Sequence, residues 1–127
     1  MTLTSRRPWI GPWLMLVAAV HTVFGFVVFA PVLSGMLERG LFNSVGSDAM
    51  TGAVTWFLLF GGPLALVAWQ VWLAERRAAW AELRVLGWGI LALTILGLLL
   101  MPMSGFWLAL PAVWGLLRSA IGTHAHG

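Results

Sequence analysis

Residues 9–33, WIGPWLMLVAAVHTVFGFVVFAPVL, form an apolar run without a charged side chain. At a rise of about 1.5 Å per residue, a helix of this length can cross the roughly 30 Å hydrocarbon core of a bilayer. The one ionisable residue of the run, His21, lies at its middle. Because a polar side chain is costly at that depth, we expect the rest of the chain to supply helices that shield His21 from lipid.

The whole chain shares this apolar character. Apolar residues make up 61% of its 127 residues and charged residues only 9%. Since about a quarter of the residues of a soluble domain are charged, this chain cannot form a water-facing surface. The composition predicts an integral membrane protein with room for about four spans of about 20 residues. The chain has no cysteine, which excludes disulfides, thiolate metal sites and thiol redox chemistry.

Four apolar runs, separated by polar or proline-containing segments, predict an all-α, polytopic bundle of four transmembrane helices in a single membrane domain, residues 1–127. The predicted spans are residues 9–31, 52–74, 85–101 and 106–121, with an extracytoplasmic loop at 34–50 and a cytoplasmic loop at 75–84. We expect Ser47 or Asp48 to cap the second span, because a side-chain oxygen there accepts an unpaired backbone N–H.

The distribution of cationic residues predicts the orientation of the chain. All seven are arginines, and with the N-terminus in the cytoplasm only Arg39 falls in an outer segment. This bias follows the positive-inside rule and requires an even number of spans, so we expect both termini in the cytoplasm. The arginines are scattered as singles or pairs. A nucleic-acid site would cluster them on one face, so nucleic acid is not an expected partner.

Small and polar residues indicate which helix faces pack together, because apolar character does not distinguish these faces in lipid. Pro63 also leaves the carbonyl of Leu59 without its usual helical donor. We estimate the depth of each residue from its distance along the helix to the cytoplasmic end of its span. By this estimate, His21, Thr94 and the Gly61-Gly62-Pro63 segment lie at similar depths in the membrane. The predicted packing faces comprise Ala18, His21 and Gly25 on the first span; Thr55, Gly62 and Trp69 on the second, with Trp56, Pro63 and Gln70 one position round; and Gly87, Ile90, Thr94, Gly97 and Met101 on the third.

This polar constellation supplies the candidate ligand-binding residues, which are His21, Thr22, Gly25, Gly61, Gly62 and Thr94. No carboxylate is predicted within the spans, so we expect a neutral imidazole. One interpretation is structural, with a hydrogen bond from His21 to the Leu59 carbonyl or the Thr94 hydroxyl that sets the helix register. The other is a role in binding or in handling a proton.

No cofactor or metal is expected. Haem usually takes two axial ligands, and the spans contain a single histidine. The tail carries His124 and His126, but two flexible ligands are too few for a tight metal site.

Several short elements together resemble a family of small four-helix bacterial membrane proteins, common in actinobacteria and classed as a domain of unknown function. The resemblance covers nearly the whole chain, from about Arg7 to Arg118, and its elements are short and apolar. It implies a bacterial cytoplasmic-membrane bundle and carries no activity or site residue with it. The elements are Pro8-Trp9-Ile10-Gly11, His21-Thr22-Val23-Phe24-Gly25, Gly40-Leu41-Phe42-Asn43, Trp56-Phe57-Leu58-Leu59-Phe60-Gly61, Gly87-Trp88-Gly89 and Pro102-Met103-Ser104-Gly105-Phe106-Trp107.

The leading functional hypothesis is a non-enzymatic bundle that binds a lipophilic small molecule or packs as an accessory subunit of a membrane complex. Its expected partners are the lipid bilayer, a lipophilic ligand, and a second copy or a membrane-complex subunit. One alternative is a small-molecule transporter or exporter, although no intramembrane carboxylate is visible to couple protons. Another is a membrane enzyme in which His21, with Thr94 or Thr22, acts as acid or base on an isoprenoid-like substrate. No catalytic residue is assigned.

Overall fold

A computed structural model describes residues 7–119 of the chain. These residues form helices and contain no strand, which confirms the all-α prediction. In chain order the elements are α1 (Ile10–Val28), α2 (Ala30–Glu38), α3 (Ala49–Arg76), α4 (Trp80–Leu100), a 3-10 helix (Gly105–Ala109) and α5 (Leu110–Ser119). Three of them, α1, α3 and α4, are long and apolar enough to cross a membrane.

The fourth apolar run is divided between the 3-10 helix and α5. The two pieces together extend about 25 Å, at rises of roughly 2.0 and 1.5 Å per residue. The change of helix type coincides with Pro111, which has no N–H to offer the carbonyl of Leu108 three residues earlier. The indole N–H of Trp13 donates to this carbonyl instead, at 2.9 Å. Since neither piece alone has the length of a spanning helix, a fourth crossing stays a prediction.

The ends of α3 differ from the sequence-based expectation in one respect and agree in another. Asp48 is the N-cap, and its carboxylate accepts the backbone N–H of Thr51 at 2.7 Å as well as the Thr51 hydroxyl. The hydrogen bonds from Thr51, that from its hydroxyl above all, hold the pKa of Asp48 below its usual range. At its other end α3 continues through Pro63 to Arg76, so residues 77–79 alone connect it to α4, where we expected a loop over 75–84.

The helices α1, α3, α4 and α5 are arranged so that each packs on two of the other three. α1 packs on α3, α3 on α4, α4 on α5 and α5 on α1, whereas α1 and α4 lie diagonally and bring no Cα atoms within 8 Å of each other. The most extensive packing is between α1 and α3 and between α4 and α5. A buried core at one end of the bundle joins these two pairs, and its members are Ile10, Val71, Ala74, Leu83, Ala112 and Leu116.

The described chain begins and ends at the same end of the bundle. Arg7, which precedes α1, and Ser119, the last residue of α5, line one cleft together with Glu75 at the end of α3. We call this the core end of the bundle. Arg39 follows α2 and lies at the opposite end, because α1 runs away from the core end.

Glycines allow α1 and α3 to approach each other as an antiparallel pair. A β-carbon at Gly11 would lie 2.5 Å from the Cβ of Trp72, and one at Gly25 would lie 2.5 Å from a methyl of Leu58. A β-carbon at Gly61 would overlap the Thr22 hydroxyl. Moving one residue forward along α1 therefore corresponds to moving one residue backward along α3, from the Gly11–Trp72 contact through Thr22–Gly61 to Gly25–Leu58.

The packed face of α3 differs by one position from the predicted one. Val54, Gly61 and Ala68 are buried, and they repeat every seven residues. Gly62 and Trp69, which we expected on this face, point away, and nothing lies within 4 Å of a β-carbon placed on Gly62. Because positions 61 and 62 are both glycine, the residue types alone do not tell which of the two lies on the packed face of α3.

We predict opposite effects of an added methyl group at these neighbouring glycines. Gly61→Ala should lower the free energy of unfolding by about 1–3 kcal/mol, because the methyl group collides with Thr22 in a packed interface. Gly62→Ala is the matched control and should leave stability unchanged or raise it by up to about 1 kcal/mol through helix propensity. Thermal and denaturant unfolding of the detergent-solubilised protein measures both. Equal effects of the two substitutions would contradict the observed α1–α3 interface.

Candidate functional site

The imidazole of His21 is tied to the backbone of α3. Its Nε2 lies 2.8 Å from the carbonyl oxygen of Phe57. A carbonyl only accepts hydrogen bonds, so Nε2 carries the hydrogen and donates it. In the neutral ring this leaves Nδ1 as an acceptor. The ring is half-buried, and Nδ1 is not enclosed and has no hydrogen-bond partner within residues 7–119.

The carbonyl that His21 uses is not the one expected from the sequence. The two partners expected from the sequence are the Thr94 hydroxyl and the carbonyl of Leu59, which Pro63 deprives of a donor. The side chain of Leu59 is 60% exposed and lies on the outer face of α3. Two positions along a helix differ by about 200° in direction, so Phe57 faces α1 when Leu59 faces away from it.

Aromatic rings surround His21 on the α3 side. The Phe57 ring stacks on the imidazole with centroids 4.1 Å apart and planes inclined by 24°. Phe60 presents its edge at 6.1 Å. Phe29, at the end of α1, contacts the same Phe57 ring edge-on at 5.4 Å. This cluster holds the imidazole in one orientation.

The structure brings together four of the six candidate residues. His21, Thr22 and Gly25 lie on α1 opposite Gly61 of α3. The Thr22 hydroxyl donates to the carbonyl of Ala18, one turn earlier in the same helix, at 2.9 Å.

Gly62 and Thr94 do not join this group. Gly62 points away from α1. Thr94 is buried on α4, whose Cα atoms all lie more than 8 Å from those of α1, and the hydrogen bond of the His21 ring goes to the Phe57 carbonyl and not to the Thr94 hydroxyl. Thr94 was grouped with His21 because the two residues were estimated to lie at the same depth in the membrane. Depth does not specify which helices are neighbours.

No group of three or more histidine, aspartate or glutamate side chains able to hold a metal is found between residues 7 and 119. The tail pair His124 and His126 lies outside the described residues.

A second polar site, which sequence reasoning missed, lies at the core end of the bundle. We assigned Glu75 to a cytoplasmic loop, but it belongs to the last turn of α3 and its side chain is buried, with 8% exposure. Its carboxylate accepts three backbone N–H groups from the start of α1. Trp9 and Ile10 donate to Oε1 at 3.2 and 3.1 Å, and Gly11 donates to Oε2 at 2.8 Å.

The sequence contains two signals of this contact. No Ser, Thr, Asp or Asn lies directly before α1, and Trp9 at its N-cap makes no side-chain cap. The first N–H groups of α1 therefore need acceptors from elsewhere. Glu75 in turn lies at a helix C-terminus, where the dipole disfavours an acidic residue. A helix without a cap and an acidic residue in an unfavourable position together point to a cap supplied by another helix.

Glu75 also lines the cleft at the core end of the bundle. The cleft has a volume of about 300 Å³, and its walls are Arg7, Trp9, Glu75, Trp80 and Ser119. Arg7 and Glu75 carry opposite charges, yet they form no ion pair within the described residues. The cleft thus separates a cation from an anion.

Comparison with known proteins identifies one family. The model of a family described as a family of unknown function (DUF6463) matches residues 5–122, which is nearly the whole chain. No curated protein and no solved structure matches the chain.

We predict that Glu75 stabilises the fold through its contact with α1. Glu75→Ala leaves three N–H groups without their acceptor and should lower the free energy of unfolding by about 2 kcal/mol or more. Glu75→Gln keeps one acceptor oxygen and should recover part of this loss. The control is Glu82→Ala, which removes an exposed acidic side chain from α4 and should have little effect. Unfolding in detergent measures the stabilities of the three variants. Equal losses of stability in Glu75→Ala and Glu82→Ala would refute a stabilising contact between Glu75 and α1.

Proposed function

The chain belongs to the family of unknown function DUF6463, and from that premise we propose that it is a small, non-enzymatic integral membrane protein that binds a lipophilic molecule beside His21. The cell membrane of a bacterium is its proposed location. The observation that carries the binding role is the bond from His21 Nε2 to the Phe57 carbonyl. It orients the ring and leaves one acceptor nitrogen unused.

The apolar outer surface supports insertion into a membrane. Large apolar side chains on the outside of α1, α3 and α4 are well exposed, for example Val27 at 70%, Leu66 at 68% and Leu99 at 76%. Such a continuous surface suits contact with acyl chains. We propose four crossings with both termini in the cytoplasm. The return of Ser119 to the end where Arg7 lies supports the even number, and the excess of arginines at that end supports the direction.

The chemistry of the proposed ligand follows from His21. An acceptor nitrogen among phenylalanine rings favours an apolar molecule with a hydroxyl or another hydrogen-bond donor. Acid–base catalysis is less well supported, because it usually needs a second polar group within hydrogen-bond reach. The hydroxyl of the neighbouring Thr22 is bonded to its own helix, and the Cα atoms of α4, which carries Thr94, lie more than 8 Å from those of α1.

A role as an accessory subunit is the second candidate. Gly62 of α3 and Gly89 of α4 both face open space, where a neighbouring helix can approach closely. Gln70 is exposed on α3 and offers both a donor and an acceptor to a partner.

Single cysteines test the four crossings, because the chain has no native cysteine. We predict that Ser119→Cys and Glu82→Cys react with a membrane-impermeant maleimide from the cytoplasmic side. Ser47→Cys, in the loop before α3, should react from the outer side only. Labelling of intact spheroplasts and of inverted vesicles distinguishes the sides. Reaction of the cysteines at 119 and 82 from opposite sides would show three crossings and reject the proposal.

Two substitutions of His21 separate ligand binding from structure. The amide nitrogen of His21→Gln can take the position of Nε2 and donate to Phe57, but the amide oxygen, its one side-chain acceptor, then lies on the opposite side from the position of Nδ1. We expect this variant to keep the wild-type melting temperature and to retain at least tenfold less ligand. His21→Leu should lose the ligand and about 1 kcal/mol of stability, since its hydrogen bond is lost as well.

The measurement is native mass spectrometry, with organic extraction, of protein purified in a mild detergent. Val23→Ala, at an exposed position of α1, is the control and should retain the ligand. A wild-type protein that carries no lipophilic molecule, or a His21→Gln variant that retains as much of it as wild type, contradicts the binding role. A stoichiometric co-purifying protein in place of a small molecule would favour the accessory-subunit role.

A further inference from the structure

We propose that the cleft at the core end of the bundle binds the zwitterionic head group of a phosphatidylethanolamine lipid. The guanidinium of Arg7 takes the phosphate and the carboxylate of Glu75 takes the ammonium. This inference depends on the proposed membrane location and is independent of the ligand beside His21.

The first argument is the separation of charge in the cleft. Arg7 is exposed and lines the same cleft as Glu75, but no ion pair joins them within residues 7–119. A guanidinium binds phosphate oxygens strongly, through paired N–H donors. A molecule with a phosphate at one end and an ammonium a few bonds away can therefore bridge the two side chains.

The second argument is the hydrogen-bonding capacity that Glu75 retains. A carboxylate has about four lone-pair sites. Three of them are used by the N–H groups of Trp9, Ile10 and Gly11, and Oε2 accepts only the last of these. One site on Oε2 is left for a further donor. An ethanolamine ammonium has N–H groups to donate, whereas the quaternary ammonium of choline has none.

The third argument is the position of the cleft at the depth of lipid head groups. Tryptophan and arginine side chains concentrate at the core end, as they do at membrane interfaces. Arg76 lies over the Trp72 ring at 4.8 Å, and Arg118 over Trp114 at 4.7 Å. The cleft itself is flanked by Trp9 and Trp80, whose rings can contact the glycerol and the ammonium.

The charge of the cleft favours a zwitterion over an anionic lipid. Its two charged residues, Arg7 and Glu75, sum to zero, and a buried carboxylate repels a head group with a net negative charge. The volume of about 300 Å³ is at the lower end of the range of small-molecule sites, as a head group without its acyl chains requires.

Native mass spectrometry of the full-length protein in detergent micelles tests the proposal. Equal molar excesses of palmitoyl-oleoyl phosphatidylethanolamine, phosphatidylcholine and phosphatidylglycerol are added separately. We expect the wild-type protein to retain at least five times more phosphatidylethanolamine than either other lipid. Arg7→Gln should reduce this binding to the level of phosphatidylcholine, and Glu75→Gln should do the same if circular dichroism shows that it is folded.

Two controls define the outcome. Arg76→Gln removes an exposed arginine from the same end of the protein but not from the cleft, so it should keep the preference. His21→Gln should keep it too, which separates this site from the one in the proposed function. Arg7 precedes α1 and is exposed, so its substitution should leave the fold intact.

Several results would overturn the proposal. One is equal or stronger binding of phosphatidylcholine or phosphatidylglycerol. Another is an Arg7→Gln variant that binds as wild type, or an Arg76→Gln variant that loses as much binding as Arg7→Gln. Retention of soluble glycerophosphoethanolamine as strongly as the lipid would show that the cleft takes a free zwitterion instead of a lipid.

Discussion

The contact between the Glu75 carboxylate and the first N–H groups of α1 sets the arrangement of the whole bundle. It joins the beginning of α1 to the end of α3. Each partner thereby obtains a hydrogen-bonding group that its own helix does not supply. The unpaired N–H groups of α1 obtain an acceptor, and the carboxylate is hydrogen-bonded where it is buried. With these ends joined, α1 and α3 must run antiparallel in a single register.

That register decides what surrounds His21. From the contact of Gly11 with Trp72, the two helices continue in matching steps until Thr22 meets Gly61. The imidazole then faces the Phe57 carbonyl and stacks on the ring of the same residue. A shift of α3 by one residue would move Gly61 away from Thr22 and separate the rings. The glycines, the carboxylate and the histidine thus depend on one interface.

The two ends of the bundle differ in chemistry. The core end combines buried apolar packing with arginines, tryptophans and the cleft that contains Arg7 and Glu75. The remaining length of α1 and α3 presents apolar side chains outward, while Nε2 of His21 and the Thr22 hydroxyl are hydrogen-bonded inward or within the helix. In the proposed membrane location, this division puts charge at the level of head groups and water and puts the polar side chains of the bundle among other helices. Both proposed sites follow from it.

The all-α fold, the approximate positions of three long apolar helices, a cap for α3 at Ser47 or Asp48 and a lone histidine in mid-helix could be predicted from the sequence. Those features depend on composition, on local capping and on run length, which are properties of consecutive residues. The packing of the helices was needed to establish that Gly61 and not Gly62 lies against α1, that His21 binds the carbonyl of Phe57 and not that of Leu59, that Thr94 lies apart, and that Glu75 caps α1. The physical reason is that the packed and outer faces of these helices are equally apolar, so periodicity does not distinguish them. Which helices are neighbours, and in which register, depends on contacts between residues far apart in the chain.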